Sequence, residues 1–152
     1  MSDVFNPEAF MNTEVDSENS TRMLPTPEGD YLAAVEEVKA DTVGNDSKPV
    51  LRVKWGLQDN DGSIEAATGR KNVAIEQLIF LDLTGSGGLD MGEGKNVQLG
   101  RIRKALGQNK AGQPWAPSMM NGQVATVTVG HRADKNDPEV VYDSIKRVTE
   151  AQ

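Results

Sequence analysis

Rows of cations at strand spacing are the residues here that could do chemistry. In "PVLRVKWGLQ", Arg52 and Lys54 alternate with Leu51, Val53, Trp55 and Leu57, so a strand at this place buries one face and shows a basic one. A row of guanidinium and ammonium groups suits a row of phosphates. Lys48, Arg70 and Lys71 fall near the ends of strand-like stretches, and Arg132 and Lys135 in "HRADKNDP" fall at a later turn. A further basic run, "LGRIRKALG", carries Arg101, Arg103 and Lys104, with no acid between Lys95 and Lys110. That face either extends an anion path or is an ordinary solvated surface. Each cation alone is better read as the polar face of a half-solvated strand; convergence on one face would make them a site.

Aromatic rings that could stack on a planar ligand are few. In "LIFLDL", Phe80 has the opposite parity to Ile79, Leu81 and Leu83 and points outward if those three point in. Trp55 shares the apolar parity of its strand and reads as core. Trp115, in "GQPWAP", reads as a loop anchor, and Tyr142 either reaches a ligand or packs an edge.

Other chemistries find no support. "GSGG" and "GEGK" lack the phosphate-loop spacing and its closing Ser or Thr. "DNDG" lacks the third acid and final glutamate of a calcium loop and reads as a turn. His131 is the single histidine and cysteine is absent, so no histidine pair, thiolate metal site or disulfide is available. No nucleophile, base and orienter can be assembled. The expectation is a non-enzyme without cofactor or metal.

These residues must be positioned by a chain of 152 residues, the size of one domain. No stretch has the apolar length of a membrane span or the pattern of a leader, which leaves a cytoplasmic setting as the expectation. The acidity is local. Residues 1 to 30 hold Asp3, Glu8, Glu14, Asp16, Glu18, Glu28 and Asp30 against Arg22 alone, so most of the formal net charge of −7 lies there. Residues 1–27 read as a flexible acidic arm and 28–152 as the folded domain.

Within the domain, "DYLAAVEEVKADTV" reads as a first strand whose parity switch places a bulge near Glu36. "GNDSK" turns it into the second strand. "NVAIEQLIFLDL" is a third strand, expected to reset its parity between Ile75 and Ile79, and "TGSGGLDMGEG" is a glycine loop. Leu99, Ile102 and Leu106 then fall at helical spacing, with Asn96 as the expected N-cap and Gly107 past the C-terminus. "QVATVTVGHR" and "EVVYDSIKRV" complete five strands. An all-β fold with one helix between the third and fourth strands is the chain order of the OB-fold, a five-stranded Greek-key barrel.

With its elements in this order, the chain resembles a family of phage-encoded single-stranded DNA-binding proteins with an OB-fold core. The likeness rests on "PEGDYLAAVEEV", "LIFLDL", "LGRIRKALG" and "GQVATVTVGHRADKNDPEVVYDSIKRV", and the acidic arm lies outside it. It implies binding of single strands in phage replication or recombination inside the host cell, without catalysis. OB-folds build their ligand face on strands two and three and on the loops joining strands one to two and four to five, which brings Lys48, Arg132 and Lys135 to that face. A phage virion protein of the capsid-decoration or tail class is the alternative function, followed by a protein-binding adaptor. The arm, with Phe5 and Phe10, would serve to dock phage or host replication proteins or to compete with DNA. A homo-oligomer is compatible with all three readings.

Overall fold

The protein, described over residues 4–152 in a computed structural model, is built on one antiparallel sheet of five strands. The strands are β1 (Gly29–Val43), β2 (Lys48–Leu57), β3 (Ala74–Phe80), β4 (Val124–Ala133) and β5 (Val141–Glu150), in the spatial order β3-β2-β1-β4-β5. The two edge strands share no hydrogen-bonded ladder, yet β3 and β5 come within contact distance of each other. Short helices α1 (Pro7–Phe10) and α2 (Ser63–Thr68) and the longer α3 (Val97–Ala105) complete the fold, with a 3-10 turn over Pro117–Met120.

Alternation decides which face each strand buries. On β2, Leu51, Val53 and Trp55 enter the core, and β3 adds Ile75 and Ile79. The expected bulge is present: Val35 pairs with Trp55 and Glu37 with Lys54, leaving Glu36 as the extra residue. The bulge returns Val38 to the face of Ala33 and Val35, where it packs on the core. No parity reset occurs in β3. Ile75, Gln77 and Ile79 all point inward, and the polar Gln77 is tolerated because its side-chain oxygen accepts the Trp55 indole N–H at 2.9 Å.

Two local features depart from the sequence reading. "DNDG" is more than a turn, since its acids start α2: Asp59 accepts from the Ile64 and Glu65 N–H groups at 2.9 Å and Asp61 from Ser63. Asn96 stands before α3 but does not cap it with its side chain. Its amide accepts from the Asp82 N–H at 2.8 Å and donates to the Asp82 and Asp90 carbonyls at 2.8 and 3.0 Å. That clasp fastens the start of the helix to the end of β3. Leu99 and Ile102 then bury the apolar stripe of α3, and Gly107, at φ 72°, ends it in the left-handed conformation.

The stretch read from the sequence as an acidic arm holds a buried anchor near its end. Residues 4–21 are exposed, but Thr26 is fully buried. Its N–H and Oγ1 both donate to the Asp143 carboxylate, at 2.8 and 2.6 Å, and its carbonyl meets His131 Nε2 at 2.6 Å. Among the described residues no helix is long and apolar enough to cross a membrane.

Candidate nucleic-acid interface

The pairing register places the candidate residues on one face. Along β2, Lys48, Arg52 and Lys54 have the parity opposite to Leu51, Val53 and Trp55, as does the fully buried Val50, and along β3 so do Glu76, Leu78 and Phe80. Val50 pairs with Phe80, Arg52 with Leu78 and Lys54 with Glu76, so the cations and the aromatic ring share the outer face of β2 and β3. Phe80 is 52% exposed. Trp55, by contrast, is fully buried, as its parity implied.

Charge on that face is compensated. Arg52 donates from Nε to Asp41 and from Nη1 to Glu76, each at 2.7 Å. Lys39 pairs with Glu37 at 2.9 Å and Lys54 lies 3.9 Å from Glu36. Glu37, Lys39, Asp41, Arg52, Lys54 and Glu76 line a shallow cleft of about 270 Å³. The Arg52 hydrogen bond, and after it the Thr42 N–H, holds the Asp41 carboxyl below its ordinary range. Bonds to Asp41 and then Glu76 push the Arg52 guanidinium up. A phosphate reaching Arg52 must displace a carboxylate.

The remaining expected residues divide into structural and available groups. Arg103 is not part of a free basic face. It is buried because its guanidinium lies 4.2 Å over the Trp115 ring and donates to the Gln108 carbonyl at 3.0 and 3.2 Å, and this desolvation lowers its pKa. Trp115 is thereby the loop anchor expected of it. Arg70 is also structural: it donates to the Leu24 carbonyl at 3.0 Å and lies 3.8 Å from Asp143, so it holds the base of the arm. Lys48 is exposed beside Asp46 at 3.8 Å. Arg132 lies 5.8 Å over the Tyr142 ring, whose hydroxyl donates to Asp134 at 2.8 Å. That bond pushes the Tyr142 pKa up.

Lys71, Lys135, Arg101 and Lys104 are exposed and have no carboxylate within 4.0 Å among the described residues. Arg101 and Lys104 meet two cations that the alternation did not single out, Lys146 and Arg147 of β5. Their signal was the adjacent pair in "SIKRV", which regular alternation would send to opposite faces. Among the described residues no group of three or more His, Asp or Glu side chains could hold a metal ion. Compared with known proteins, the chain matches no family model and no curated protein.

Proposed function

We propose that the protein binds single-stranded DNA without catalysing a reaction, on an OB-fold barrel whose ligand face is the outer side of β2 and β3. The observation that carries this reading is the convergence of Lys48, Arg52, Lys54 and the half-exposed Phe80 on one sheet face. Non-specific single-strand binders combine cations that track the backbone with aromatic rings on which bases stack.

The spatial order of the first four strands, with β4 beside β1 and then β2 and β3, accords with a Greek key. A helix between β3 and β4, and the approach of β3 to β5, also accord with an OB barrel. Strands exposed in phage replication or recombination, inside the host cell, are the ligand this surface suits. The exposed arm, with the Phe5 and Phe10 rings 5.3 Å apart, is a site for replication partners.

Fluorescence anisotropy of a labelled thymidine oligonucleotide tests the reading on two proteins. Wild type should bind, and Phe80→Ala should bind more weakly by about 1–3 kcal/mol. Equal affinities would remove Phe80 from the site.

A further inference from the structure

We infer that the cleft between α3 and β5 is a second phosphate path, which holds the backbone of a single strand by charge alone. This rests on the reading of the protein as a single-strand binder, but on a different surface. The cleft, about 500 Å³ in volume, is lined by Arg101 and Lys104 from α3 and by Lys146 and Arg147 from β5. Ala105 and Val148 also line it, and Glu150 is the one carboxylate among its described lining residues. An adjoining cleft of about 470 Å³ shares Lys104 and Glu150 and continues to Lys110. All five cations are exposed, and none has a carboxylate within 4.0 Å among the described residues. The β2–β3 face has its cations paired; here the cations outnumber the single lining carboxylate, Glu150.

The chain is shaped to present these cations. Regular alternation would send Lys146 and Arg147 to opposite sides of β5. A register shift prevents that: Arg147 pairs with Thr128 and Ile145 with Val129, leaving Lys146 as a bulged residue, and both cations are exposed. Gly130 makes room for the Lys146 stem, since a Cβ there would sit 2.7 Å from Lys146 Cγ and 2.6 Å from Cε. Across the cleft, α3 contributes no acid. Successive single positive charges along an open cleft, with no enclosed pocket and no exposed aromatic ring lining it, match a repeating anionic backbone rather than a base or a compact anion.

The test is the salt dependence of binding by the full chain, read by anisotropy with a labelled thymidine oligonucleotide of about 30 nucleotides, longer than one OB-type site. The variant Arg101→Gln, Lys104→Gln, Lys146→Gln, Arg147→Gln should lower the slope of log K against log salt by about 3, at roughly 0.7 per lost contact. The single changes Arg101→Gln and Lys104→Gln, each on the exposed helix face, should each lower it by about 0.7 and keep the test decisive should the fourfold variant fail to fold. Gly130→Ala, which retains every charge but displaces the Lys146 stem, should weaken binding in the same direction. An unchanged slope in the variants, with salt-sensitive binding by wild type, overturns the second path and leaves the β2–β3 reading standing. No binding by wild type removes both. Loss of inorganic polyphosphate binding with DNA binding intact would assign the cleft to another anion and overturn the inference.

Discussion

Replacing Asp143 with alanine should unfasten the base of the N-terminal arm. The carboxylate is 12% exposed and accepts two hydrogen bonds from Thr26, at 2.8 and 2.6 Å, with Arg70 3.8 Å away. Hydrogen bonds to a charged group contribute about 1.5–3 kcal/mol each. The two here share one acceptor group, so the lower value applies to each and the loss is about 3 kcal/mol. For a chain of this size that lowers the thermal midpoint by about 6–12 °C. Thermal and urea unfolding measure it directly. A truncation pair isolates the contact: removing residues 1–21 should leave the midpoint nearly unchanged, while removing 1–27 should lower it, because Thr26 is then lost. A loss below about 1 kcal/mol in Asp143→Ala, or equal midpoints for the two truncations, would refute the clasp.

Phe80→Ala should leave the thermal midpoint nearly intact while weakening DNA binding, since the ring is 52% exposed; a loss of about 3–5 kcal/mol in stability would mark it as core instead. Asp41→Asn with Glu76→Gln should tighten DNA binding by releasing Arg52 from both its partners, and unchanged affinity would show that Arg52 touches no phosphate. The Asp41 pKa is lowered in the fold, so its stabilising effect is complete above about pH 4 and is lost only as pH falls through the lowered value. DNA affinity at this face should therefore be flat between about pH 5 and pH 8. Arg103→Ala should cost about 2–4 kcal/mol of stability, from its stack on Trp115 and its bonds to Gln108, and leave the salt slope unchanged.

The strands were legible because alternation states which side chain goes inward. Leu51, Val53 and Trp55 announced β2, and the parity switch between Val35 and Val38 announced the bulge at Glu36. The outward direction of Phe80 followed from the same rule. Pairing across strands was not legible. Nothing in "VLRVKWGL" shows that Asp41 and Glu76, 11 and 24 residues away, occupy the Arg52 guanidinium. Arg103 looked like one more basic helix residue, and only the tertiary position of Trp115 makes it structural. Thr26 sat in a polar, proline-flanked stretch, and its burial depends on Asp143, 117 residues later. The bulge that aligns Lys146 with Arg147 lies in the β4–β5 register, and Gly130 leaves the room that the Lys146 stem takes, so the α3–β5 cleft emerges only when the sheet is assembled.

Single-strand binding is tested most directly by an anisotropy titration of the full chain with a labelled thymidine oligonucleotide at low and at moderate salt. Binding should be micromolar or tighter at low salt and weaken as salt rises, because phosphate contacts release counterions. Absence of binding at low salt, or binding indifferent to salt, would contradict it.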